Sequence, residues 1–328
     1  MSDSPTIWFD RRPAPELAEL APAKANIEWP QSDDPLDGID RADGVIAGAS
    51  IIYDQTVFAL ASKLRVLVRA GIGFDNIVLD DATDAGVAAC NTPDGPTIST
   101  AEHALALIFS VTKELQQSAN RLQRQEGNYG ASHNALELDG ARLTLIGLGR
   151  IGSRVAKVAT AAGIQVTAYD PFESDERFEA LGVTRSTDLG EAVSEAQIVS
   201  IHAPLSSKTR HLVDSNLIGR MRDGVFIVNT ARGGLIDDNA LLDALDSEKV
   251  GGAGLDVTEP EPLPAGHPLL RHEGVLVTPH VASATAEGRH RIFTMALDQV
   301  AAALAGIRPS HILNPEVWPG RNSNNEDA

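Results

Sequence analysis

An arginine, a histidine and a group of acids in the second half of the chain have the types and placement to move a proton beside a bound carboxylate. Arg232 sits in Asn229-Thr-Ala-Arg-Gly-Gly, directly after the apolar run Val225 to Val228. An arginine at the carboxyl end of a buried parallel strand points into the crevice where open α/β sheets bind ligands. Its planar fork suits a carboxylate. His280 lies in Thr278-Pro-His-Val-Ala-Ser, again after an apolar run. It is a ready proton donor and acceptor near neutral pH. Asp256 closes a third run, Gly252 to Asp256, and Glu259 and Glu261 follow in a proline-stiffened loop. A carboxylate beside the imidazole favours its protonated form. Singly, each has an ordinary reading: a surface ion pair, a solvated loop, a structural histidine. An arginine, an acid and a histidine at the strand ends of one sheet argue together for acid–base chemistry. Earlier in the chain, Gly71 and Gly73 flank Ile72 just past the run Val66 to Ala70. Backbone N–H groups at Ile72 and Gly73 could face an anion there, and a plain turn fits as well.

These residues need a sheet to hold them, and Leu143 to Asp170 shows what kind. Leu143 to Ile146 is an apolar run of strand type. Gly147, Gly149 and Gly152 follow as G-x-G-x-x-G, and Val155, Ala156, Val158 and Ala159 then recur at helical spacing. A second run, Gln165 to Tyr169, ends on Asp170, 18 residues past the third glycine. In such a unit the first glycine permits the tight turn and the second lets the backbone approach a pyrophosphate. The third lets helix and strand pack closely, and the helix N-terminus offers free N–H groups. G-x-G-x-x-G alone is weak; between a strand and a helix, with an acid closing the next strand, it is a dinucleotide fingerprint. Asp170 can accept from a ribose 2′-OH and would repel a 2′-phosphate. Arg177 is the nearest following cation. NAD is favoured over NADP.

The chain has 328 residues with 43% hydrophobic content, enough for one large α/β domain or two medium ones. Further strand-like runs occur at Gly44 to Ala47, Val87 to Cys90 and Ile198 to His202. Strands alternating with helical segments predict doubly wound parallel sheets. Ser99-Thr-Ala-Glu102 fits a capping box and predicts a helix N-cap at Ser99, with the helix running to about Gln125. The mixed-polarity stretch Gly127 to Leu138 reads as an exposed arm, and the polar end RNSNNEDA as disordered. The net charge is −18 and no basic patch appears, so nucleic acid is not an expected partner. Of the 27 basic residues only six are lysine; a salt-rich cytoplasm or a GC-rich genome gives that bias. No apolar run reaches the roughly 20 residues of a membrane span. The start, MSDSPTIWFD, lacks the basic-then-apolar order of a signal peptide, and Cys90 is the single cysteine. A reduced, cytoplasmic location and no metal are expected.

With GIGFDN, STAEHAL, GLGRIG, HAPL, NTARGG, GLDVTEPEP and TPHVASAT in place, the chain resembles the D-isomer-specific 2-hydroxyacid dehydrogenases over nearly its whole length. VRAGIGFDN and NTPDG lean toward the phosphoglycerate dehydrogenase branch. The resemblance implies a Rossmann NAD domain over 99–287. It also implies a flavodoxin-like α/β substrate domain made from 1–98 and 288–328. It implies that Arg232 binds the substrate carboxylate and carbonyl, that His280 is the acid/base, and that Glu261 pairs with it. The backbone at Ile72 and Gly73 would hold the substrate carboxylate. Gly147, Gly149, Arg150, Ile151 and Gly152 would meet the pyrophosphate, Asp170 the ribose and Asp256 the nicotinamide side. Ala203, Thr230 and Ala231 would line the cofactor, with Ile72, Arg232, His280 and Ser283 near its reactive end. A homodimer with the arm wrapped on its partner is also implied. The phosphoglycerate branch often carries Arg-Ser near an early strand end, where this chain has Ala47-Gly-Ala-Ser-Ile-Ile-Tyr. With the chain ending at 328 and no regulatory extension, the expected substrate is a small 2-keto or 2-hydroxy acid, and whether it carries a phosphate stays open.

Two alternatives remain open at this point. One is an NADP-dependent glyoxylate or hydroxypyruvate reductase. The other, from a different class, is an NADH-sensing co-repressor-like binding protein.

Overall fold

A computed structural model describes residues 4–22 and 25–318. The end RNSNNEDA lies outside the described residues. The chain divides into two units, Met1–Pro96 with Thr285–Ala328, and Thr97–Ala284.

The first unit is built on a parallel five-stranded sheet. Its strands are β1 (Thr6–Phe9), β2 (Asn26–Glu28), β3 (Gly44–Ala47), β4 (Val66–Arg69) and β5 (Ala88–Asn91), in the order β2-β1-β3-β4-β5. That is the flavodoxin-like doubly wound order. Every residue of β1, β3, β4 and β5 is buried, which a parallel sheet covered on both faces requires. The two-residue period divides them cleanly. Trp8, Val45 and Leu67 enter one core. Ile7, Phe9, Ile46, Val66 and Val68 enter the other, under Ala296, Leu297, Val300 and Ala303 of the helix Ala286–Leu304. Asn314 ties the following tail to the sheet: its side chain accepts from the Ala89 N–H (2.8 Å) and donates to the Val87 carbonyl (3.0 Å).

The second unit holds β6 (Arg142–Ile146), β7 (Gln165–Tyr169), β8 (Thr184–Ser186), β9 (Ile198–Ile201), β10 (Val225–Asn229), β11 (Val250–Leu255) and β12 (Val275–Val277). All seven are parallel, in the order β12-β11-β10-β9-β6-β7-β8. The order reverses at β6, between β9 and β7. Such a switch point opens a crevice at the carboxyl ends of the strands. Arg232, His280, Asp256 and the glycine turn all follow those carboxyl ends.

The helix expected to be capped by Ser99 instead begins at Thr97 and runs to Thr112, with Ser99 buried inside it. Pro96 precedes it, and a proline at a helix entrance gives up no hydrogen bond. The Ser-x-x-Glu match is therefore not the cap. Nor does the helix run unbroken to Gln125. It stops before Glu114, which takes a left-handed φ of 48°, and a second helix covers Leu115–Gln123. Among the described residues no helix is long and apolar enough to cross a membrane.

The glycine turn after β6 is packed from both sides. Gly147 has a φ of +102°, and a Cβ there would come within 2.8 Å of the His202 carbonyl group. A Cβ on Gly152 would collide with the Gly147 carbonyl oxygen. Gly152→Ala should therefore destabilise the protein by about 1–3 kcal/mol, the cost of overpacking a tight contact. Chemical denaturation of the two proteins checks this, with a lower midpoint expected for the variant.

Candidate active site

The glycine turn joins β6 to the helix Arg150–Ala161. Gly149 is the N-cap, and having no side chain it leaves the first-turn N–H groups without a side-chain cap. Around a Cβ at Gly149 nothing lies within 4 Å, in contrast to the crowded Gly147 and Gly152. A tight turn, open space above its middle glycine and uncapped helical N–H groups fit a pyrophosphate. Arg150 and Ile151 open that helix. Asp170 stands beside the turn: one carboxylate oxygen accepts from the Leu148 N–H (2.8 Å), the other from the Phe172 N–H (2.9 Å). Each oxygen keeps a second lone pair for a ribose hydroxyl. Arg177 donates to Ser153 Oγ (3.0 Å), which donates to the Leu148 carbonyl (2.6 Å). A guanidinium thus stands near the turn, a placement the sequence spacing did not reveal.

The proton-handling residues cluster after β10, β11 and β12. His280 Nδ1 lies 2.5 Å from Glu261 Oε1. Their side chains are 34% and 39% exposed, so the pair stays open to a ligand. His280 has a left-handed φ of 52°, a conformation that costs an ordinary residue about 1–2 kcal/mol. Hydrogen bonds hold it: its N–H donates to the Asp256 carbonyl (2.8 Å), and the next two N–H groups, on Val281 and Ala282, donate to the Asp256 carboxylate (both 2.9 Å). Thr278 Oγ1 also donates to that carboxylate (2.6 Å). Burial alone would raise the Asp256 carboxyl, but hydrogen bonds from His103, Thr278, Val281 and Ala282 outweigh it and hold the group below the usual carboxylate range. Asp256 is thus an ionised anchor for the turn that presents His280. Arg232 is fixed through its own turn: Asn229 donates to its carbonyl (2.8 Å) and accepts from the Ala231 N–H (2.9 Å), and Arg232 Nη1 donates to the Ala231 carbonyl (2.7 Å).

Residues 105–282 match the model of the D-isomer specific 2-hydroxyacid dehydrogenase NAD binding domain. The chain belongs to the D-isomer-specific 2-hydroxyacid dehydrogenase family. Its second unit carries the family's NAD-binding domain. A D-3-phosphoglycerate dehydrogenase of Methanocaldococcus jannaschii is 37% identical over 279 residues, 85% of this chain and 53% of the relative. The chain thus spans about half the length of the curated relatives it matches. Among solved structures, the TT0316 protein of Thermus thermophilus superposes with a TM-score of 0.85 at 31% identity, covering 94% of this chain and 99% of that one. D-lactate dehydrogenase of Aquifex aeolicus, solved with NAD and lactic acid, gives 0.80 at 26% identity, covering 95% and 97%.

Within this 2-hydroxyacid dehydrogenase fold, Ala203 follows β9, Thr230 and Ala231 follow β10, and Ser283 lies three residues past His280. Thr230 Oγ1 is buried with no protein partner, a group that bound cofactor could satisfy. Ile72 and Gly73 belong to the other unit, on the loop after β4, where the Ile72 carbonyl accepts from Asn91 (2.7 Å). Sequence reasoning missed His103. Its Nε2 lies 3.0 Å from Thr278 Oγ1 and 3.4 Å from Asp256 Oδ1. The one signal available was an ionisable residue directly before the apolar run Ala104 to Val111.

His202 is the second histidine near the turn, and burial pushes its imidazole down to about 4. It is neutral at pH 7 and hydrogen-bonds Ser200 Oγ (2.9 Å). The unfolded imidazole, near 6.5, gains a proton that the folded one refuses until about 4. The stability it contributes is thus present above pH 6.5 and is lost as pH falls toward 4. His202→Gln should flatten part of that loss, measured as the difference in thermal midpoint between about pH 7 and pH 5.

Proposed function

We propose that the protein is an NAD-dependent D-2-hydroxyacid dehydrogenase acting reversibly on a small 2-keto acid and its D-2-hydroxy acid. The observation that carries this reading is the 2.5 Å pair of His280 Nδ1 and Glu261 Oε1, at the same sheet end as Arg232 and the glycine turn. Bound NADH would supply a hydride to the keto carbon. His280 gives the proton from Nε2 to the oxygen as the C=O bond becomes a C–O bond, and takes it back in oxidation. Glu261 holds the ring by its other nitrogen and balances its charge while it is protonated. Arg232 pairs with the substrate carboxylate and draws electron density from the carbonyl, supplying position and charge stabilisation. Ile72 and Gly73 carry the role of further backbone donors to the carboxylate. Gly147, Gly149, Arg150, Ile151 and Gly152 hold the pyrophosphate, Asp170 the ribose, and Asp256, Ala203, Thr230, Ala231 and Ser283 line the rest of the cofactor.

Turnover of NADH with glyoxylate, pyruvate, hydroxypyruvate and 3-phosphohydroxypyruvate tests the reading and selects the substrate. His280→Ala should lower turnover by about 10²–10⁴-fold, the usual worth of a positioned acid, with NADH binding kept. Near wild-type turnover in that variant would end the assignment. No turnover by the wild-type protein with any of the four, alongside tight NADH binding, would favour an NADH-sensing role instead.

The Asp170 carboxylate favours NADH over NADPH. Asp170→Ala should narrow that preference, and wild-type efficiency with NADPH equal to that with NADH would overturn it. Arg177, bound to Ser153, makes this comparison informative.

We further propose a cytoplasmic homodimer. The expected arm, Gly127 to Leu138, is irregular and exposed from 127 to 134, while its end turns inward, with Leu136 packed on the core and Leu138 buried in it. The adjoining helix presents Leu115 at 55% and Leu122 at 64% exposure, and Tyr129 follows at 42%. Exposed apolar side chains on this helix and on the arm that follows it suit a second copy of this chain. The net charge of −18 speaks against a nucleic-acid partner. Light scattering at micromolar protein should give twice the chain mass, and Leu122→Glu should shift it toward the single chain.

A further inference from the structure

We infer that Arg210 and Glu259 form a positioning pair that fixes Glu261 and Arg232 relative to one another; the inference rests on the proposed roles of those two residues. The pair is a two-pronged fork: Arg210 Nη1 to Glu259 Oε1 at 3.1 Å, and Nη2 to Oε2 at 2.8 Å. Glu259 stands two residues before Glu261 in the Glu-Pro-Glu-Pro loop. Holding Glu259 therefore holds the loop that presents a carboxylate to His280.

The other end of the fork is set just as firmly. Arg210 follows a turn closed by Thr209, whose N–H donates to the Ser206 carbonyl and whose Oγ1 donates to the Pro204 carbonyl (2.7 Å). The next residue, His211, donates its N–H to the Gly234 carbonyl (2.8 Å), and Val213 donates to the Leu235 carbonyl (3.0 Å). Gly234 is two residues past Arg232. The arginine turn is thus fastened to the same segment that carries Arg210.

The fork also lies directly over that turn. A Cβ on Gly234 would come 3.2 Å from Arg210 Nη1 and 3.3 Å from Glu259 Oε2. A Cβ on Gly233 would collide with the Thr258 carbonyl. Glycines at 233 and 234 let the Arg232 turn and the Glu259 loop touch, and the fork clamps across the contact. Three loops from three different strand ends meet at one ion pair.

Arg210 and Glu259 are 52% and 41% exposed, and water screens such pairs so that they add little stability. Two-pronged geometry fixes direction as well as distance. The pair is consequently expected to matter for geometry more than for stability. His211 lies 3.6 Å from Glu259, and Asp237, Asp238 and His267 face the same cluster, with burial pushing Asp238 up to about 6. Comparisons therefore belong at one fixed pH, about 8, well above the value to which burial pushes Asp238.

The test uses Arg210→Gln, Glu259→Gln, Arg210→Lys and the exchanged pair Arg210→Glu with Glu259→Arg in the full chain. Each is assayed with whichever of the four keto acids above turns over fastest. Both glutamine variants should lose about 10- to 100-fold in kcat, the scale of a small misplacement of reacting groups. KM should change less than kcat. The NADH dissociation constant, read by fluorescence titration, should stay within about twofold of wild type. Arg210→Lys keeps the charge but not the fork and should remain impaired. The exchanged pair should recover part of the lost kcat. Wild-type kcat in both glutamine variants would overturn the inference. So would a loss of kcat matched by equal losses in NADH binding and thermal midpoint, which would mark plain unfolding. His280→Ala separates the two levels: if it keeps its turnover the catalytic reading fails, whereas an inactive His280→Ala beside fully active Arg210 and Glu259 variants removes the positioning pair alone.

Discussion

A carboxylate withdrawn from water must be satisfied by the protein, and satisfying Asp256 decides where His280 stands. The Asp256 side chain has no exposed surface. Leaving it unpaired would cost several kcal/mol. Its donors are Thr278 Oγ1 and the N–H groups of Val281 and Ala282, which bracket His280 on both sides. The chain can make all three bonds only by turning sharply between them. The turn forces His280 into a left-handed backbone and swings its ring toward Glu261. A buried charge at the end of β11 is thereby converted into the placement of an imidazole past β12. His103, on the helix Thr97–Thr112, touches the same anchor, so that helix is registered against the turn as well.

A second constraint operates at β6. Gly147 is wedged in place: its carbonyl oxygen faces Gly152 and its α-carbon faces the backbone of His202, with no room for a side chain at either glycine. Strand, helix and the end of β9 are drawn together at the point where the sheet order reverses. Asp170 then fastens the turn to the end of β7 through the Leu148 N–H. The groups that suit a dinucleotide are the same groups that close this junction. Fold and ligand cradle share their stabilising contacts here.

Much of this is visible in the sequence because parallel strands covered on both faces must be apolar throughout. Gln165–Tyr169 and Val225–Asn229 are strands where the apolar runs place them. The edge strands β2 and β8 are not visible there: Asn-Ile-Glu and Thr-Arg-Ser are three residues each, half in water, and carry no apolar run. The Ser99 cap fails because a four-residue pattern is local, whereas the helix start is governed by Pro96. Val158 fits the helical spacing of its buried neighbours yet is 43% exposed, since the apolar stripe is narrower than the pattern suggests. Strand-end logic draws attention to Arg232, Asp256 and His280. It has no means of finding the Arg210–Glu259 fork, whose partners are 49 residues apart on separate loops. His103 is hidden for a similar reason, because its significance comes from β11 and β12 rather than from its own helix.

The division of the first unit into two stretches of chain has a consequence for how the protein is made. One face of the five-stranded sheet is covered by Ala296, Leu297, Val300 and Ala303, and the Asn314 tie comes later still. All five strands are complete by Asn91. During synthesis, therefore, Ile7, Phe9, Ile46, Val66 and Val68 wait without that helix while the ribosome produces the whole of Thr97–Ala284. That intervening unit is continuous and can fold as it emerges. At about 5–20 residues per second the wait lasts on the order of ten seconds or more. A stretch translated before the second unit thus completes its core after it, and it is the part that a nascent-chain chaperone would have most reason to hold.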